Sequence, residues 1–176
     1  GANRTTPNYC LKPKAPGKIC GGGPFTSWYF DSNSLNCKAF IFGGCNGSLN
    51  RFSSEAQCQR WCLRGIPEKR VCSLAADKGD GNGGLFAWSY DPKVDQCRVF
   101  VYRGTGGNSN IFPTCHQCMD RCSGNEHGEY ICDILNYHLM IHYYYSRLPH
   151  VIAGPVWMYK TPLRTTARGY SGVQGP

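Results

Sequence analysis

Apolar and aromatic residues fall into two matching pairs of short runs. SWYF at 27–30 and CKAFIF at 37–42 flank the turn-rich DSNSLN, while AWSY at 87–90 and CRVFVY at 97–102 flank DPKVDQ. Aromatic and β-branched runs around a polar turn predict one hairpin in each half. A helix start follows each hairpin: Ser54 with Gln57, then Thr114 with Gln117, the spacing of a capping box. Cys58 and Cys62, like Cys118 and Cys122, then stand four apart on one helical face. One cysteine of each pair can fasten the helix to its hairpin and the other to the start of its half. Ahead of the second hairpin, KGDGNGGLFAWSY (78–90) places four glycines in the seven positions from Gly79 to Leu85. Such a run is either a linker or a loop shaped for contact.

The cysteines show that the two halves are repeats. Cys10, Cys20, Cys37, Cys45, Cys58 and Cys62 lie in the first, and Cys72, Cys97, Cys118 and Cys122 in the second; Cys37 to Cys58 and Cys97 to Cys118 both enclose twenty residues. The organisation read from this is an extension at 1–9, a module at 10–62, a linker at 63–71, a second module at 72–122 and an extension at 123–176. Modules of about fifty residues bury too little apolar surface to be stable without disulfides. Cys115 and Cys132 complete an even count of twelve cysteines in 176 residues. A bond between them, fixing the tail to the second helix, is expected ahead of an intermolecular link.

Composition narrows the function class. So many cysteines, in a chain beginning at Gly1 without an apolar leader, predict a processed, secreted protein, and no stretch is apolar enough to span a membrane. Asn3 (NRT) and Asn46 (NGS) stand in glycosylation sequons. The net charge of +8 is concentrated in the first half: +4 over 10–62 and +2 over 63–71, against neutrality over 72–122. A basic surface suits heparin-like polyanions or anionic phospholipid, and an extracellular setting argues against nucleic acid. Cys115, His116, Cys118 and Cys122 have metal-ligand spacing, but the repeat assigns two of them to disulfides, so no metal or cofactor is expected. No Ser/His/Asp arrangement points to catalysis. The expected protein is monomeric and not an enzyme.

The six-cysteine spacing of the first module, FIFGGC (40–45) with NRF (50–52), and FVYRG (100–104) with NIF (110–112) in the second resemble the Kunitz-type serine protease inhibitors. The resemblance covers residues 10–122. It implies a small disulfide-rich α+β fold: two Kunitz domains, each a twisted hairpin plus a short C-terminal helix, followed here by a poorly ordered tail. It also implies the pairs Cys10–Cys62, Cys20–Cys45, Cys37–Cys58, Cys72–Cys122 and Cys97–Cys118.

The reactive loops implied by the family are Lys18, Ile19, Cys20, Gly21 and Gly22 in the first module and Lys78, Gly79, Asp80, Gly81 and Asn82 in the second. Gly81 and Thr105 replace the cysteines that clamp the second loop. Losing such a bond costs about 2–5 kcal/mol, so a mobile loop and a marginal module are expected. Asn82 in the primary specificity position fits poorly where Lys or Arg is wanted. In the first module Gly21 holds that position and leaves the protease pocket empty, with Lys18 a substitute if the lengthened loop bends.

Two modules, one lacking its clamp, resemble tick salivary anticoagulants related to tissue factor pathway inhibitor. That implies binding of factor X or Xa, at a basic exosite facing Asp77, Asp91, Asp95 and their neighbours Asp80 and Asp120, and blockade of factor VIIa with tissue factor. Two alternatives stand beside it: an integrin antagonist acting through Lys78-Gly79-Asp80, and an ion-channel-blocking toxin. Beyond the modules, HLMIHYYYSRLPHVIAGPVWMY reads as aromatic and partly strand-like. Lys160, Arg164 and Arg168 make the end of the chain basic. That tail is expected to be a polyanion, phospholipid or partner contact.

Overall fold

The structure, a computed structural model, describes residues 5–147. A 3-10 turn, Asn8–Leu11, leads to β1 (Lys18–Ile19), which pairs with β4 (Gly44–Cys45). Between them lies the first hairpin, β2 (Phe25–Asp31) with β3 (Asn36–Phe42), and α1 (Glu55–Cys62) follows β4. The second module repeats the hairpin as β5 (Leu85–Asp91) with β6 (Gln96–Tyr102), followed by α2 (Cys115–Cys122). Their registers correspond: Phe30 faces Cys37 as Tyr90 faces Cys97. Both turns end on a residue in the left-handed region, Leu35 at φ 55° and Asp95 at φ 49°.

Both helices begin at the hydroxyl caps. Ser54 Oγ accepts from Gln57 N–H at 3.0 Å and Thr114 Oγ1 from Gln117 N–H at 3.1 Å. The reciprocal bond in the first module goes one residue further back than a capping box would send it, from Ser53 N–H to Gln57 Oε1 at 2.8 Å. The disulfides are Cys10–Cys62, Cys20–Cys45, Cys37–Cys58, Cys72–Cys122, Cys97–Cys118 and Cys115–Cys132. Every member of the candidate zinc cluster except His116 is thereby consumed. His116 Nε2 instead faces Asp133 Oδ1 at 3.3 Å.

Each core is small and completed by one buried amide. Asn50 Oδ1 accepts from Phe30 N–H, and its Nδ2 donates to the carbonyls of Cys10, Lys12 and Phe30. Asn110 repeats this toward Tyr90 and Leu74. A fully satisfied amide supplies the donors and acceptors that crossing segments cannot give each other.

The modules form parts of one compact unit. Glu55, at the first position of α1 and fully buried, accepts from the N–H groups of Val71, Cys72 and Ser73 and from Ser73 Oγ, at 2.7–3.2 Å. Gly124 N–H donates to Ala39 O at 2.7 Å, Lys14 Nζ to Gly124 O, and Thr26 Oγ1 to Pro92 O at 2.5 Å. A carboxylate of the first module thus accepts from the residues that start the second.

The region after Cys122 departs from what its composition predicts. Gly128–Ser146 is a nineteen-residue helix, α3, although the aromatic stretch from His138 onward has strand-like composition. Cys132 lies in its second turn and is bonded to the start of α2, which anchors the helix nucleus. The remaining tail, with Lys160, Arg164 and Arg168, and the sequon at Asn3 lie outside the described residues. Asn46 is exposed, with φ 58°.

Candidate functional site

In the first module the loop follows a left-handed Gly17 at φ 69°, where a β-carbon would meet Cys45 O at 2.1 Å. Lys18 and Ile19 then run antiparallel to Gly44–Cys45, and Cys20 N–H donates to Gly43 O at 3.1 Å. Lys18 is therefore fixed in a strand ahead of the clamp and does not take the place of Gly21, although its side chain is exposed. Beyond the Cys20–Cys45 bond, β-carbons built at Gly21 and Gly22 meet nothing within 4 Å. The tip is open and carries no side chain.

The second loop follows the same path by other means. Gly79, left-handed at φ 72°, packs on Thr105 O as Gly17 packs on Cys45 O. Arg103 N–H donates to Lys78 O at 2.8 Å, Asp80 N–H to Thr105 O at 3.0 Å and Gly83 N–H to Arg103 O at 2.7 Å. Tyr102 Oη donates to Gly106 O at 2.9 Å, steadying the opposite segment. A β-carbon at Gly81 would lie 2.7 Å from Thr105 Oγ1, so the two positions face each other as clamp cysteines would. It would also lie 2.3 Å from Arg103 O. Where the missing clamp predicts a loose loop, the backbone is instead drawn closer than any side chain at 81 allows.

Gly81→Ala should therefore push residues 80–83 away from Arg103, at a cost of about 1–3 kcal/mol for overpacking against backbone. Amide exchange at Gly83 should accelerate in that variant. Unchanged protection would show that the close approach contributes nothing.

The acidic residues divide sharply. Asp77 and Asp80 are exposed beside Lys78, with Asp77 Oδ1 accepting from Gly79 N–H at 2.9 Å. Asp91 is half-buried, caps Lys93 N–H and pairs with Arg98 Nε at 3.3 Å. Asp95, expected at an exosite, is buried instead: its Oδ1 accepts from Tyr90 Oη and Ser123 Oγ, each at 2.6 Å. The carboxylate ties the second hairpin to the end of α2, whereas Leu35, at the matching left-handed position of the first turn, is exposed.

Burial raises the Asp95 carboxyl, against its bonds to Ser123 and Tyr90 and the charge of Lys14. It also pushes the Tyr29 phenol up to about 12, assisted by the carboxylates of Asp31, Asp95 and Glu126. Tyr90 is raised by burial first and then by Asp95. In the unfolded chain a tyrosine releases its proton near pH 10, whereas in the fold Tyr29 and Tyr90 keep theirs. Their contribution is intact below about pH 10 and is lost as the pH rises through the folded values. Alkaline unfolding, followed by phenolate absorbance, should accordingly move to higher pH in Tyr29→Phe. The exposed Tyr130 serves as control, and Tyr130→Phe should leave the transition where it is in the wild type.

Two residues that shape the site escape a reading of the sequence. Arg103 anchors the second loop through both its N–H and its C=O, and a backbone role of that kind leaves no mark on residue type. Glu55 has no signal of its own either, because in the sequence it is an ordinary first-turn acid of a helix.

The family described as Kunitz/Bovine pancreatic trypsin inhibitor domain matches residues 9–63 and 71–123. Amblin of Amblyomma hebraeum is 35% identical over 130 residues, covering 74% of this chain and 77% of Amblin. Papilin of Caenorhabditis elegans is 42% identical over 106 residues, 57% of this chain but only 5% of papilin. Among solved structures, Ixolaris, which interacts with Factor X, is 27% identical over 65% of this chain and 93% of its own, with a TM-score of 0.28.

Proposed function

The chain belongs to the Kunitz/bovine pancreatic trypsin inhibitor family of protease inhibitors, and on that premise we propose that it is a secreted anticoagulant that binds factor X or Xa away from the active-site cleft, through the second module, and blocks factor VIIa with tissue factor. One observation carries the reading. The second loop has lost its clamp and lies against Arg103, and its specificity position carries Asn82 and no long cation, while Asp77 and Asp80 are exposed. Substrate-like insertion needs a preorganised loop with a pocket-filling residue, whereas a carboxylate-bearing surface suits a basic exosite. Twelve cysteines, all disulfide-bonded, belong to an oxidising compartment.

The test is binding to immobilised factor X zymogen, which has no formed active site to fill. Wild type should bind, and Asp77→Ala with Asp80→Ala should weaken binding at least tenfold. Absence of zymogen binding would overturn the reading.

The loop favours one second reading. Lys78 and Asp80 are both exposed and are separated by the left-handed Gly79, the display an integrin-directed Lys-Gly-Asp would need. Inhibition of platelet aggregation by wild type but not by Asp80→Ala, without prolonged clotting time, would favour it.

A further inference from the structure

The linker does not leave α1 freely; it folds back along it. Gln59 Nε2 donates to Lys69 O at 2.9 Å, and Lys69 N–H donates to Gln59 Oε1 at 3.0 Å. One turn earlier on the same helical face, Glu55 takes the N–H groups of Val71 to Ser73. Two side chains of α1 thus fix the path of residues 69–73, and with it the place of the cations that the linker carries.

Arg60 on the helix and Arg70 on the linker both reach Glu68, at 3.5 and 3.7 Å. Arg64 donates to Tyr9 Oη at 3.3 Å and stands 5.9 Å from the centre of the Trp61 ring. The guanidinium-bearing side chains remain open, 71% exposed at Arg60 and 55% at Arg70, and Lys69 is exposed as well. Arg60 and Arg70 thus share Glu68, Arg64 follows Arg60 at the spacing of one helical turn beside the half-exposed Trp61, and Lys69 joins the set through a backbone that Gln59 holds.

We propose that this helix-and-linker face, Arg60, Arg64, Lys69 and Arg70 with Trp61, binds a sulfated polysaccharide of the heparan type. Three of the four cations are guanidinium groups, whose fork of donors matches the oxygens of an individual sulfate. The face is interrupted by Glu68, so it suits anionic groups spaced along a flexible chain better than a continuous anionic plane. Trp61 supplies an apolar platform for a sugar ring. The sequence offers the basic first half, the linker and the basic end of the chain for polyanion contact; the helix-and-linker face narrows this to the junction of the modules. This inference is independent of the coagulation target.

The test is titration of the full chain with size-defined heparin oligosaccharides, beside vesicles of phosphatidylcholine with phosphatidylserine. Wild type should bind heparin with an affinity that falls steeply as salt is raised, because exposed charges are screened. Arg60→Ala with Arg64→Ala should weaken it at least tenfold and flatten the salt dependence. Lys93→Ala with Arg98→Ala, on the second hairpin, should leave it unchanged. Arg60 and Arg64 are exposed and carry no buried hydrogen bond, so circular dichroism should show the variant folded. Unchanged heparin affinity in the α1 variant, or vesicle binding that is lost in it while heparin binding persists, would overturn the assignment.

Discussion

Replacing Glu55 with alanine should destabilise the folded protein by about 3–5 kcal/mol, because its backbone donors, two of them deeply buried, lose their acceptor at about 1–3 kcal/mol each. Val71 and Cys72 N–H are those buried donors, and Ser73 would lose two bonds at once. Arg121, drawn down by burial and held up by Glu55, would also lose its partner charge. Guanidinium unfolding with the disulfides intact measures the change. Trypsin cleavage after Lys69 or Arg70 should accelerate in parallel, since these residues follow a path that Glu55 and Gln59 fix. A loss below about 1 kcal/mol would mean that water replaces the carboxylate and that the module junction is held by other contacts.

Gly21→Arg should turn the first module into a trypsin inhibitor, tightening the inhibition constant by roughly 10³-fold, about 4 kcal/mol, the scale of a buried anchor residue at an interface. The position is ready for it. The loop is fastened by Cys20–Cys45, its approach is set by the β1–β4 pair, and a β-carbon at 21 meets nothing within 4 Å. Asn82→Arg in the second module should gain far less, because that loop is held against Arg103 without a clamp. A chromogenic trypsin assay compares the two. Equal gains would show that the missing disulfide does not distinguish the loops.

Much of this architecture is legible in the chain. The hairpins, the helix caps and the helical cysteine pairs are local patterns of period two or four, read over a few residues each. The family resemblance then supplies the pairing of distant cysteines, which no local pattern contains. What stays hidden depends on where a side chain ends up. Asp95 and Asp77 are both acids in loops, yet the hydroxyls of Tyr90 and Ser123 hold one buried between the second hairpin and the end of α2 while the other stays exposed. Glu55 reads as a helix-dipole acid, and its burial is created by residues sixteen to eighteen positions away. The aromatic stretch from His138 has strand-like composition, but a helix begun before it and fastened at Cys132 continues to Ser146. The glycines at 79–84 are legible as a loop; that Gly81 sits against a carbonyl is not.

Binding to factor Xa with its active site free and with it covalently blocked tests the central claim most directly. Equal affinity for both forms, measured by surface plasmon resonance, is the result expected of a second module that approaches the protease outside its cleft. Binding that vanishes when the cleft is blocked would contradict it and return the protein to substrate-like inhibition.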